Sequence, residues 1–291
     1  MSFRTWLGAV ALFFTWGFVV HAVGLVLHEV GGHGLAGVAL GCGVAGVDLT
    51  YFGHGVLHYA SPCARWTWET ATIADWSGLA LTIGAGAFAM GFERRTGLAP
   101  LTRLLLAILG TAFLLGQLSY ATSGGFNDLY DPARTARALA AHGLHVLAWL
   151  PPMAGFTVAA FVGARAITRA LRAHFASRTR LHALGQTAAT VGVAGLLYLL
   201  AFRLEWTIRA DLWMRGVAFE AQRIAVVRNE APPFPIERLL MAVAALAFVV
   251  AFAQPVRGGG GQAHGIPRRH ARAVAAAAVA CVAALTLLGR V

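Results

Sequence analysis

Lysine is missing from this 291-residue chain, and all 23 of its basic residues are Arg, a bias that reflects a GC-rich genome rather than chemistry. Charge of any kind is scarce. Asp, Glu, Lys and Arg make up 12% of the chain, against roughly a quarter in soluble domains, which excludes the usual water-soluble balance. Cysteine is limited to three residues, too few for a disulfide framework. Cys42 and Cys63 nevertheless share one interhelix segment and can pair if that side is oxidising. No internal repeat and no nucleophilic Ser or Cys motif stands out. Gly258 to Gly261 follow no strand and open no helix in a dinucleotide or phosphate-loop pattern, so they read as a flexible loop. The net charge of +11 does not point to nucleic acid, because the Arg residues fall in short loops between apolar runs, where positive charge sets membrane orientation.

What the chain does have is apolar length. Hydrophobic residues make up 58% of it and the mean hydropathy is +0.67. About 20 mostly apolar residues span a bilayer, and seven segments approach or meet this: Trp6 to Leu27, Ile73 to Phe92, Leu104 to Tyr120, Val146 to Ala164, Ala183 to Phe202, Leu239 to Ala253 and Ala273 to Leu288. Pro151-Pro152 interrupts the fourth, and the last two are short. The expected fold is therefore an all-α polytopic membrane protein of about seven helices. With the N-terminus in the cytoplasm, 13 Arg and one acid, Glu93, lie on the inner side, and nearly all the other acids lie outside with ten Arg. This is the asymmetry of the positive-inside rule. A bacterial inner membrane is the expected location.

That orientation turns segments 41–72, 123–145 and 204–238 outward. In the first, two alternating stretches rich in β-formers flank Gly53-His54-Gly55, a hairpin signal. His54 and His58, four apart, would share one face of it. Segment 204–238 mixes both charge signs with Trp206, Trp213 and Pro232-Pro233-Phe234-Pro235, which suggests an interfacial helix and an extended turn.

The chemistry concentrates at the outward end of the first span, in His28-Glu29-Val30-Gly31-Gly32-His33. In His-Glu-x-x-His two ligands four apart share a helical face, and the Glu between them acts on a metal-activated water. Here one residue is inserted. On a regular helix at about 100° per residue the two imidazoles would point roughly 140° apart, so a shared ion requires a π-bulge or an unwound turn, which Gly31-Gly32 makes cheap. His21, one heptad earlier, reads as a packing residue, and His142 and His145 as interfacial. A third ligand is expected from Gly124 to Asp131, on the same side as the motif. Asp128 is the first choice and Asp131 the second, because Asp131 suits the N-cap of a helix starting near Pro132.

Residues 25–40 resemble the active-site helix of the site-2 protease family of intramembrane metalloproteases, and a soluble family of zinc dipeptidyl peptidases also carries His-Glu-x-x-x-His. The order of parts over residues 5–135 is similar too: motif helix, hairpin, a helix opening on Trp76-Ser77-Gly78-Leu79-Ala80, then a helix leading to an Asp. The resemblance implies a Zn2+ held by His28, His33 and Asp128, with Glu29 as general base, acting on a membrane protein or peptide. It divides the chain into a membrane core, 1–145, and further spanning helices, 146–291. Three features depart from the family: the inserted residue, Asp128-Leu129 in place of Asp-Gly, and a site toward the outer rather than the cytoplasmic face. The alternative function is a noncatalytic membrane scaffold or complex subunit that keeps the His/Glu/Asp cluster for structure.

The Arg bias generates a topological prediction. A cysteine placed at Arg178, in a background without the native cysteines, is expected to react with a membrane-impermeant maleimide only from the cytoplasmic side. Labelling from outside alone would reverse the orientation.

Overall fold

The computed structural model describes residues 3–60, 63–95, 97–129, 131–175, 180–209, 236–253 and 266–288. The chain is an all-α polytopic membrane protein with one small antiparallel sheet. Among the described residues seven helices are long and apolar enough to cross a bilayer. Their elements are α1 (Phe3–Val26), a π-helix (Leu27–Gly34), α2 (Leu35–Ala39), strands β1 (Gly43–Leu49) and β2 (Gly55–Ala60), then α3 (Trp68–Glu93), α4 (Pro100–Asn127), α5 (Ala133–Ala141), α6 (Val146–Phe175), α7 (Arg180–Ile208), α8 (Ile236–Ala253) and α9 (Arg268–Leu288). The outward segment read as an interfacial helix lies, but for its ends, outside the described residues.

Large apolar side chains face outward all round. Phe88, Val158, Met241, Val249 and Val279 are each more than 60% exposed, an arrangement suited to hydrocarbon and not to water. Inside, small residues dominate. Buried Ala160, Ala164, Ala247 and Ala251 join α6 to α8 around Phe156 and Leu240, because without a solvent-driven force between helices close backbone approach supplies the attraction. α4 packs against α3 and α6, α1 against α7 and α9, and the π-helix against α3.

The Pro151-Pro152 interruption does not break α6, which runs unbroken from Val146 to Phe175. A proline has no N–H for the carbonyl four residues back, so Pro152 leaves the Ala148 carbonyl without its helical donor. The backbone of Gly125 on α4 covers that carbonyl, and a Cβ on Gly125 would collide with it. Close approach by a glycine, with the weak Cα–H donor it offers, makes the proline tolerable.

The expected hairpin forms. β1 and β2 pair in antiparallel register from Gly43↔Ala60 to Leu49↔Gly55, with an irregularity between Val44 and Gly46. His54 lies in the turn rather than on the strand face, and only His58 is a strand residue, bonded to Asp48 at 2.9 Å. The turn is closed by the Thr50 N–H and hydroxyl, both donating to the His54 carbonyl at 3.0 and 2.9 Å. Glu205 of α7, nearly buried, accepts from the Tyr51 and Phe52 N–H groups at 2.6 and 2.8 Å and pairs with Arg209 at 3.2 Å. The base of the hairpin is joined by the Cys42–Cys63 disulfide, whose Cα atoms are 4.3 Å apart.

The packing of Gly125 yields a stability prediction. Gly125→Ala is expected to destabilise the purified protein by about 1–3 kcal/mol through overpacking against Ala148, measured by denaturant unfolding in detergent. A change below about 0.5 kcal/mol, within the range of an indifferent surface substitution, would show that α4 and α6 are not held this closely.

Candidate metal centre

The site begins with the helix that carries it. From Leu27 to Gly34 the backbone is π-helical, so residues five apart lie one above the other, as residues four apart do in an α-helix. The inserted residue is absorbed over the whole motif. His28 and His33 therefore converge, with ring centroids 4.7 Å apart and planes at 83°. Both are nearly buried, at 7% and 8% exposure, and so is Glu29, at 7%.

The wider helix is held by its neighbours. Gly32 lies directly on the Gly78 backbone of α3, with no room for a Cβ. The His33 ring donates from Nδ1 to the Ala74 carbonyl at 2.7 Å, which fixes the ring and leaves Nε2 pointing into the site. The Tyr59 hydroxyl on β2 donates to the His33 carbonyl at 2.8 Å. Burial raises the Tyr59 pKa well above the usual phenol range, helped by the negative charges of Asp75, Asp131 and Glu29, so the hydroxyl keeps its proton. Tyr120 on α4 stands edge-on to His28, with centroids 5.9 Å apart.

The third group is Asp131. Its Oδ2 lies 3.2 Å from His28 Nε2 and 3.3 Å from His33 Nε2, and the two Nε2 atoms are 3.1 Å apart. This corrects the choice of Asp128. Asp128 ends α4 in the left-handed conformation, φ 56° and ψ 39°, with its N–H and that of Leu129 directed to the Gly124 carbonyl. Asp tolerates that conformation better than most residues do. The cap turns its carboxylate away to His145, 3.2 Å distant. Asp131 in turn is not the N-cap of α5, which Pro132 occupies without a side-chain bond. Two bonds from α5 to α3 set its place: Arg134 Nε to Asp75 Oδ2 at 3.0 Å and Trp76 Nε1 to Thr135 Oγ1 at 2.8 Å. Burial alone would raise the Asp131 pKa, but hydrogen bonds and charge at His28 and His33 outweigh it and hold the carboxyl well below its ordinary range.

These three atoms fit a metal ion. With His33 Nδ1 committed as a donor, Nε2 either carries the second proton of an imidazolium or offers a lone pair. Positive charge, as a proton or as a metal, is what the triangle shares. A tetrahedral ion about 2.0 Å from each ligand atom holds them about 3.3 Å apart, and the three edges are 3.1, 3.2 and 3.3 Å. The space beside the two nitrogens is kept open by Gly78, where a Cβ would stand 2.9 Å from each Nε2. Among the described residues His28, His33 and Asp131 are the one group of this kind.

Glu29 lies one residue beyond the first ligand. Its carboxylate accepts the Leu57 N–H of β2, and it is within electrostatic range of His28, His33 and Asp131. His21 is elsewhere, its ring edge-on to Tyr198 at 6.1 Å. Sequence reasoning missed Tyr59, the Leu57 N–H and the Ala74 carbonyl. Only Tyr59 leaves any trace in the sequence, as an aromatic in a strand of the expected hairpin.

Comparison with known proteins finds no matching protein family, no matching curated protein and no matching solved structure.

The ligand assignment is tested by elemental analysis. Asp131→Ala is expected to lower metal affinity by more than about tenfold, since even supporting residues are worth that much, whereas Asp128→Ala should retain metal close to the parent level. The opposite ranking would restore Asp128.

Proposed function

We propose that this protein is a membrane-embedded zinc metallopeptidase related in its chemistry to the site-2 proteases. The observation that carries this reading is the triangle of His28 Nε2, His33 Nε2 and Asp131 Oδ2, with edges near those of a tetrahedral zinc site, beside a buried Glu29 on the same π-helical turn. Two His and one carboxylate leave a fourth position for substrate or water, the pattern of a catalytic rather than a structural site. A zinc ion held there supplies Lewis acidity to a carbonyl oxygen and makes water nucleophilic at neutral pH.

The residues of the chain divide the work. His28, His33 and Asp131 would hold the ion. Glu29 takes the proton from the attacking water and returns it to the leaving amine. The Leu57 N–H keeps the Glu29 carboxylate in one orientation. Gly78 keeps the approach to the two Nε2 atoms clear. The hairpin alongside offers backbone groups to a segment in extended conformation, and a peptide bond must leave its helix to be cut. The substrates are membrane proteins or peptides, reached from within the bilayer. The Arg bias favours a cytoplasmic N-terminus and a site toward the outer face.

The experiment is elemental analysis of the purified protein together with cleavage of candidate membrane substrates by the parent and by Glu29→Gln. Stoichiometric zinc is expected in both proteins, with turnover lowered about 10²- to 10⁴-fold in the variant, the usual contribution of a general base. Metal-free, inactive parent protein would replace the peptidase with a noncatalytic scaffold that keeps the cluster for structure.

A further inference from the structure

The π-helix is braced from one side by α3 and from the other by β2, and β2 is itself clamped at both ends. At the turn, Glu205 and Tyr198 of α7 hold Tyr51 and Phe52, the latter through its N–H and its carbonyl. At the base, the disulfide ties Cys63, just after β2, to Cys42, just after α2, across a sequence separation of 21. Between these anchors lie the three points at which β2 meets the motif. The Gly55 backbone lies against the Glu29 side chain, the Leu57 N–H reaches the Glu29 carboxylate, and the Tyr59 hydroxyl reaches the His33 carbonyl.

An isolated two-stranded hairpin is marginal in water, so the disulfide matters to how firmly β2 is held. Among the described residues, the other ties at the base are the Gly43↔Ala60 pairing, the Tyr59–Trp66 ring contact at 5.4 Å, and three backbone bonds: Cys42 N–H to Gly37 O at 2.9 Å, Arg65 N–H to Leu40 O at 3.2 Å and Ala64 N–H to Gly41 O at 3.4 Å. Cys42 is buried and Cys63 partly exposed, so a thiolate arriving from outside meets Cys63 first.

We propose that β2 is a positioning element of the metal centre, with Tyr59 and Leu57 its working residues, and that the Cys42–Cys63 disulfide is a redox lock that holds it in place. This rests on the reading of the His28, His33 and Asp131 triangle as a metal site and adds regulation to it. The oxidised protein is the competent form. A dithiol reductant of the thiol–disulfide oxidoreductase class switches it off: one thiolate attacks Cys63 Sγ, the bond to Cys42 breaks, and Cys42 leaves as a thiolate that takes up a proton. The second thiolate of the reductant then resolves the mixed disulfide. Two electrons and two protons have passed to the chain, and the reductant ends as its own disulfide. With the base released, β2 no longer fixes the Glu29 carboxylate or the His33 carbonyl, and the π-turn loses one of its two braces.

The test uses the full chain in detergent in a Cys281→Ser background, so that the free thiol cannot exchange. Cobalt(II) is the probe, read by its visible absorption on titration, with amide hydrogen exchange across 55–60 as the second measurement. Reduction by a phosphine is expected to weaken cobalt binding about tenfold, the scale of a lost supporting contact, and to remove the exchange protection of Leu57, both returning on reoxidation. Cys42→Ser with Cys63→Ser should reproduce the reduced state and ignore the reductant. If that pair does not fold, phosphine reduction of the folded parent decides alone. Tyr59→Phe should weaken cobalt binding severalfold with the disulfide intact and the protein still folded, while reduction of that variant should weaken binding further. Tight cobalt binding and unchanged Leu57 protection in both redox states overturn the lock and leave the metal site standing. Oxidised protein that binds no cobalt overturns the metal site, and this proposal with it.

Discussion

The geometry of the centre depends on one constraint, that two imidazoles five residues apart must point at the same carboxylate. A regular α-helix would separate them by roughly 140°, and a π-helix brings them together. The π-helix from Leu27 to Gly34 is a less common conformation, and it persists because surrounding groups over-determine it. Ala74 holds the His33 ring, the bare backbones of Gly32 and Gly78 meet where no side chain would fit, and Tyr59 occupies the His33 carbonyl. The supports come from two separate parts of the chain, α3 and β2, so the ligand geometry is a property of the assembled core.

Burial gives that core its electrostatic character. Ionisable groups at membrane depth are costly and are kept where they work or are paired. Three such residues, His28, Glu29 and His33, fall within six positions of one helix, and Asp131 comes from a segment that never crosses the membrane. The short helix α5 delivers it, held to α3 by the Arg134–Asp75 pair and the Trp76–Thr135 bond. Such a pair near the surface contributes little to stability. Its value here is placement, because a carboxylate on an untethered turn would spend much of its time in water.

Among the described residues, the hairpin is also where several distant elements are tied together. Glu205 and Tyr198 of α7, Arg209 just beyond it, the disulfide, and the packing of Leu285 of α9 against Val47 and Leu49 all converge on the hairpin. The helices beyond residue 145 therefore support the half that carries the His28, His33 and Asp131 cluster as well as adding spans: α7 reaches back to hold the hairpin turn, and α6 covers Gly125 of α4, the helix that leads to Asp131.

Much of this was legible in the residues. Apolar length determined the seven spans, because a bilayer demands about 20 residues whatever the tertiary contacts. The alternation around Gly53-His54-Gly55 determined the hairpin, and the five-residue spacing with Gly31-Gly32 determined that the helix must depart from α geometry, since both signals are local. The choice between Asp128 and Asp131 was not local. Both sit in one polar turn, and a rule for caps favoured the wrong one. Only the docking of α5 on α3 decided which carboxylate entered the site, and only the left-handed end of α4 turned the other away. Continuity of α6 through two prolines was likewise settled by Gly125 on a neighbouring helix. Sequence determines the features that backbone period and solvent dictate, whereas the aim of a side chain within a turn depends on contacts from distant segments, which exist only once the chain has packed.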